Sequence, residues 1–350
     1  PSVMGFICIA TQRPSVVCHS HEEGKAVTVF GDWCSVTPEL GKNEAMDGHG
    51  GKLAENDALT SQMDVDAFRQ LFPLRFHERH LAELIRPDAR HLGEARPTTV
   101  ALGAVGSADG SALTKIGYTT MLAAIKMEVM KPLSEASDEG CIAIDFHMPS
   151  ICSPIVRPGR PAEAAPVISK QLSDVITNSR MINLKELCVT PGKVAWMAYL
   201  DIYCLDADGS LFDAALLAAV AAFSHLQIPV VSLRDDGKVV LLSEQGEIDK
   251  EQSVPNTKRK LTMSSLPFSL TCILHKNYVL ADPNAEEEST METIVTVVLD
   301  KSGSLVSFYK PGGSVLASTA TVKNCITLTK HRMKELQSIL DEAISGMELV

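Results

Sequence analysis

The sequence predicts an α/β (α+β) chain organised as two successive units, each running strands first and helix last. Three observations carry that expectation. Val194 to Cys204 places Val194, Trp196, Ala198, Leu200, Ile202 and Cys204 on one apolar face at period two, the pattern of a strand. The alanine-rich run from Ser210 to Phe223 follows at once, and side chains that small let a helix lie close against its neighbours. A second set of apolar, strand-length segments after residue 260 ends in an amphipathic helix.

Taken in order, residues 1–62 hold no sustained period, and 42–58 is rich in Gly, Asn, Asp and Glu, which predicts a disordered extension. Val3 to Ala10 imitates the core of a signal peptide but has no basic residue before it, and is read as a tail. Phe68, Leu71, Phe72, Phe76, Leu81 and Leu84 predict helical pieces interrupted at Pro73. Beyond a loop over 86–97, the segments 98–106, 111–116 and 119–129 predict a meander of strands, and 140–148 continues the sheet. A proline-rich loop spans 151–161, and Val167, Ile168, Leu172, Val175 and Ile176 predict a helix over 162–179. Ser210 with Asp213 three residues on forms a capping-box-like start for the central helix. Short strands are expected in 228–242 and a polar linker over 243–260. Strands follow at 268–274, 278–281, 294–299 and 305–309. Val322, Cys325, Ile326, Met333, Leu336, Leu340 and Ile344 then form the buried stripe of the last helix. The expected organisation is an extension over 1–62, a first domain with its leading helix over 63–242, a linker over 243–260 and a second domain over 261–350.

A chain of 350 residues with 45% hydrophobic content is long enough for a sizeable core. Its net charge of -11 argues against holding nucleic acid by its own electrostatics, which needs clustered Lys and Arg. Nine scattered cysteines, odd in number and without C-x-x-C, indicate neither a disulfide framework nor a thiolate zinc site and fit a reducing compartment, cytosol or nucleus. No run approaches the roughly 18 apolar residues needed to span a bilayer, so no membrane partner is expected.

Several segments are candidates for chemistry. Asp206-x-Asp208-Gly-Ser-Leu-Phe-Asp213 resembles the first motif of the haloacid dehalogenase family, in which an aspartate attacks phosphate beside Mg²⁺. That chemistry needs a fully buried parallel strand, whereas this one carries Asp201 in its middle, and no later aspartate pair completes a metal site; Asp235-Asp236 lies in a turn. A calcium loop fails because the twelfth position is Leu217. His77 and His80 lack a third ligand and read as a solvated face with Arg75, Glu78 and Arg79. Glu286-Glu287-Glu288 and Lys258-Arg259-Lys260 read as solvated loops. Arg157-Pro-Gly-Arg160 is different, because proline and glycine hold two guanidinium groups where they can meet phosphates.

Arg86-Pro-Asp88-Ala-Arg90, Glu94-x-Arg96-Pro97, Gly106-Ser-Ala-Asp-Gly110 and Ile116-Gly117-Tyr-Thr119 resemble the opening of RNase PH-like domains. Leu187-Cys-Val-x-Pro-Gly192-Lys-x-x-Trp196, the 206–215 block, Leu280-Ala-Asp282-Pro-x-x-Glu286-Glu-Glu and Lys310-Pro-Gly-Gly313 continue the resemblance, to ring subunits of the eukaryotic RNA exosome. It covers about residues 64–346.

The resemblance implies an RNase PH-like fold of the ribosomal protein S5 domain 2 type, with two βα subdomains. It also implies a hetero-hexameric ring shared with other RNase PH-like subunits, capped by S1/KH subunits, in nucleus, nucleolus and cytoplasm. RNA is threaded through such a ring to an associated nuclease for rRNA maturation and turnover. Phosphorolytic members of the family carry Gly-[Ser/Thr]-Arg at the start of the central helix and an aspartate on a later strand. Here those places hold Ser210, Leu211 and Phe212, and Ile294. The resemblance therefore implies an inactive paralogue with no catalytic residue, cofactor or metal, and with Arg157 and Arg160 as RNA-contact candidates. The alternatives are an active phosphorolytic exoribonuclease and a dehalogenase-like phosphatase.

Overall fold

Pro73 divides the first helical stretch. Residues 63–71 are helical, Phe72 is not, and α1 (Pro73–Ala82) starts with the proline, whose missing N–H has no intrahelical partner at that position. The computed structural model describes residues 63–132, 135–229, 231–233, 239–241 and 259–347. The expected extension over 1–62, residues 243–258 of the linker expected over 243–260, and the Asp235-Asp236 turn lie outside the described residues.

β1 (Thr98–Leu102), β2 (Gly110–Ile116) and β3 (Thr119–Met130) pair antiparallel in sequence order, as the expected meander. β4 (Cys141–His147) leaves that order. A parallel pair needs a crossover, and α2 (Ala164–Ser179) supplies it: the chain runs from β4 through α2 and a short β5 (Cys188–Thr190) into β6 (Val194–Asp206). β6 pairs antiparallel with β3 and parallel with β4, giving the order β1-β2-β3-β6-β4 with β5 on β6. Ile168, Leu172, Val175 and Ile176 of α2 are buried, whereas Val167 faces outward.

Val194, Trp196, Ala198, Leu200, Ile202 and Cys204 are all buried on one face of β6. Against that face lies α3 (Leu211–His225), buried at every residue from Phe212 to Phe223. A helix apolar all round belongs inside a core, and α3 packs on β2 and β3 from one half and β11 (Pro267–His275) from the other. Its alanines permit backbone-scale approach. A β-carbon at Gly110 would lie 2.8 Å from the Ala222 carbonyl oxygen and 2.9 Å from Leu226 Cα.

The capping box expected at Ser210 does not form. Ser210 takes a left-handed conformation, φ 49° and ψ 41°, and its side chain makes no cap bond. Its Oγ donates to the Pro283 carbonyl at 3.0 Å, while the Asp213 carboxylate accepts from Thr271 N–H at 2.6 Å. Both polar groups serve buried partners in the second half, and those tertiary partners displace the local cap.

Between the halves, β7 (Gln227–Ile228), β8 (Val231–Leu233), β9 (Val239–Leu241) and β10 (Arg259–Lys260) are short. β8 pairs with β9 and β10 pairs with β7, so Arg259 and Lys260 form an exposed strand rather than a loop. The second sheet has the order β12-β11-β13-β14, with β12 (Tyr278–Ala281), β13 (Ile294–Asp300) and β14 (Leu305–Tyr309). α4 (Ala285–Thr290) lies between β12 and β13, and α5 (Thr319–Met347) closes the described chain. Cys325, Met333, Leu336 and Leu340 of α5 are buried, with Val322, Ile326 and Ile344 partly so. One continuous hydrophobic core runs from both sheets through α3.

Candidate functional site

The turn between β6 and α3 meets Ala281 to Glu288 and the 86–97 loop at a dense polar junction. Arg96 organises it. Its backbone N–H and Nε donate to Asp282 Oδ2 at 2.7 and 3.0 Å, and Nη2 donates to Oδ1 at 2.7 Å. The same guanidinium donates to the Asp208 carbonyl and, at 3.3 Å, to both its carboxylate and the Pro283 carbonyl. Burial alone raises the Asp282 carboxyl, but the hydrogen bonds and charge of Arg96 outweigh it and hold this group below the usual carboxylate range. Arg86 and Arg90 add donors to the backbone: Arg86 to the Ala281 and Asp282 carbonyls, Arg90 to the Asp282 carbonyl at 3.1 Å and to the Asp88 carboxylate at 2.7 Å. These contacts hold Asp282 in a left-handed conformation, φ 48°.

The three glutamates expected in a solvated loop instead form α4 and point to three partners. Asn284 and Glu287 make a reciprocal capping box that starts the helix. Glu286 pairs with Arg69 and lies 3.7 Å from His77 Nε2. Glu287 is fully buried with its Oε1 3.6 Å from Arg86 Nε, and burial raises its carboxyl. Glu288 Oε1 accepts from Ser210 N–H at 2.8 Å, just ahead of α3, and burial pushes its carboxyl up to about 7. His77 is likewise not on a solvated face: α1 docks on α4 by that side, leaving His77 only 2% exposed, and burial lowers its pKa.

At the start of α3, Leu211 is partly buried and Phe212 is buried, its ring 6.0 Å from that of Tyr309 in an edge contact. Ile294 opens β13 and pairs with Ile273 of β11. None of Leu211, Phe212 and Ile294 can donate a proton or pair with an anion, and Asp213 in the first turn of α3 is buried and accepts from Thr271 N–H. Asp208 is engaged by Arg96, so the dehalogenase-like segment has no open pair of aspartates. Asp213, inside the same motif, is only 6% exposed, and burial pushes its carboxyl up to about 6.

Arg157 and Arg160 are exposed in the loop after β4, where Arg160 N–H closes a turn onto the Arg157 carbonyl at 3.3 Å and Gly159 takes φ 80°. The root of that loop is tied to the junction, because Ala207 N–H donates to the Cys152 carbonyl at 3.1 Å. Among the described residues, six cysteines are free thiols.

Sequence reasoning missed two groupings. One is the Arg96–Asp282 and Ser210–Glu288 closure, although Asp282 and the glutamates share one of the motifs that carry the resemblance. The other is Asp145, His147 and Asp201, whose ligand atoms all lie within 4.8 Å of one another. Period-two spacing puts 145 with 147 on one face of β4, and Asp201 on the less buried face of β6, but their pairing needs the strand order.

A family model described as 3′ exoribonuclease family, domain 1, matches residues 94–229, and one described as domain 2 of the same family matches residues 265–332. The exosome complex component Rrp42 of Methanopyrus kandleri is 34% identical over 225 residues, which is 64% of this chain and 79% of the relative. The chain belongs to the 3′ exoribonuclease family, with the RNase PH-like fold. The exosome component rrp43 of Schizosaccharomyces pombe is 28% identical over 265 residues, 76% of this chain and 94% of that protein. A chain of the Archaeoglobus fulgidus exosome solved with RNA bound to the active site is similar with a TM-score of 0.65 and 27% identity, covering 79% of this chain and 98% of that one. An archaeal exosome core chain shares the fold at TM-score 0.60. No described helix is long and apolar enough to cross a membrane.

Proposed function

We propose that this RNase PH-like chain is a non-catalytic ring subunit of an RNA exosome core, supporting 3′-to-5′ RNA processing and degradation, rRNA maturation included. Its partners are other RNase PH-like subunits in a hetero-hexameric ring, S1/KH cap subunits, and RNA passing through the assembled channel to an associated nuclease. Nucleus, nucleolus and cytoplasm are the compartments proposed for it. The observation that carries the non-catalytic reading is at the start of α3. Ser210 N–H, where a helix terminus favours an anion, is bonded to the chain's own Glu288, and the next two residues are Leu211 and Phe212. Ile294 offers no proton for a departing nucleotide oxygen.

Arg157 and Arg160 are proposed as RNA contacts of the assembled ring, supported by their exposure and by the turn that holds them. The division into 1–62, 63–242, 243–260 and 261–350 is proposed as the domain organisation. Affinity purification from cells followed by mass spectrometry tests the ring assignment. Stoichiometric recovery of RNase PH-like and S1/KH subunits supports it, and recovery of the chain without them overturns it.

A further inference from the structure

Among the described residues, the face of the larger sheet turned away from α3 gathers ligating side chains that the exosome reading does not use. The parallel register of β4 and β6 sets Asp145 opposite Asp201 and His147 opposite Tyr203. Every second residue shares a face, so Asp145, His147 and Asp201 project together from two hydrogen-bonded strands. We propose that these three residues form a divalent-metal site with two carboxylate oxygens and one imidazole nitrogen as protein ligands.

Geometry is the first support. The three ligand atoms already lie within 4.8 Å of one another. Metal bonds of about 2.0–2.2 Å to such ligands put neighbouring donors roughly 3–4 Å apart, a gap that side-chain rotation closes without moving the strands. His147 stacks on Tyr203 with ring centroids 4.7 Å apart and planes at 23°, which limits the orientations of the imidazole. Across β6 the register neighbour of Asp201 is Ala124, and next to Asp145 on β4 the same face carries Ala143, so short side chains flank the cluster. Asp145 and His147 are exposed and Asp201 is half-buried, leaving the ligands within reach of solvent ions.

Charge is the second, independent support. Like charges directly opposite on neighbouring strands repel, yet among the described residues no lysine or arginine pairs with Asp145 or Asp201. Lys126, on the neighbouring strand β3, is paired with Asp109 at 3.5 Å instead. A small divalent cation supplies the missing positive charge and satisfies all three ligands. Two hard oxygens with one imidazole suit manganese or zinc, and the small number of oxygens disfavours calcium. Three protein ligands on an open face leave positions for water, so the ion is exchangeable.

Manganese is the probe of choice, because nine cysteines give zinc competing soft ligands. The test is Mn²⁺ titration of the full chain, read by electron paramagnetic resonance of free Mn²⁺, with His147→Ala and Asp201→Asn in parallel and circular dichroism as the check on folding. One Mn²⁺ per chain is expected in the parent, with affinity lower by at least about tenfold in each folded variant. No stoichiometric binding in the parent, or binding unchanged in Asp145→Asn as well as in the other two variants, overturns the site.

Discussion

Arg96 and Asp282 form a buried bidentate pair across 186 residues of sequence, with both guanidinium and backbone N–H directed at one carboxylate. The pair joins the two halves at the point where β6 turns into α3. Removing one partner leaves the other as an uncompensated buried charge, a loss of about 3–5 kcal/mol. Arg96→Ala and Asp282→Asn should each lower unfolding free energy on that scale in urea titrations. The double variant should cost less than the sum, since the pair acts as a unit. Arg96→Lys should fail to restore the parent value, because an ammonium cannot reproduce the planar fork.

Asp213 carries a pH signature. Its carboxyl has an ordinary value of 3.8 and rises to about 6 in the fold through burial, against the hydrogen bonds it accepts. The folded state therefore keeps a proton that the unfolded chain releases between these values. Its contribution to stability is greatest below about pH 4, declines as pH rises to about 6, and is flat above, on the order of 2–3 kcal/mol in all. Asp213→Asn keeps an acceptor for Thr271 N–H and should flatten the slope of stability against pH over that interval. An unchanged slope in urea titrations at pH 4.5, 5.5 and 6.5 counts against a buried, proton-holding Asp213.

The strand and helix at the centre were legible because β6 and α3 follow simple periods, and an unbroken alanine-rich run has few options except burial against close neighbours. Periodicity reports which face is buried but not which strand lies beside it, so the move of β4 across β6 was not readable. The glutamates of α4 were misread for a related reason. Their partners, Arg69 for Glu286 and Ser210 for Glu288, lie 217 and 78 residues away, and a charge run with distant partners looks the same as a solvated one. That Leu211 and Phe212 stand where the resemblance implies phosphate ligands was visible directly, whereas the carboxylate that meets Ser210 was not.

Glu288 separates hydrogen bonding from charge. At pH 8 its carboxylate is ionised, above its value of about 7, and bonded to Ser210 N–H. Glu288→Gln keeps an oxygen acceptor without the buried charge and should match or exceed the parent in stability. Glu288→Ala leaves the N–H without its partner and should cost about 1–2 kcal/mol. Equal stability of the two variants in thermal or urea unfolding at pH 8 contradicts a role for this contact.

The exposed arginine loop makes a different kind of prediction. In the assembled ring, Arg157→Ala with Arg160→Ala should reduce the slope of log affinity for single-stranded RNA against log salt by roughly 1.4, about 0.7 for each phosphate that an arginine no longer neutralises. Binding at the same affinity and the same slope as the parent ring makes them ordinary loop arginines.

Phosphate-dependent release of nucleoside diphosphates from single-stranded RNA tests the central claim most directly. The purified chain, alone and in its reconstituted ring, should contribute none, because Glu288 meets Ser210 N–H, Leu211 and Phe212 follow it, and Ile294 stands where the resemblance implies an acid. Release that tracks with this chain through purification and is lost in its Ser210→Ala variant contradicts the account.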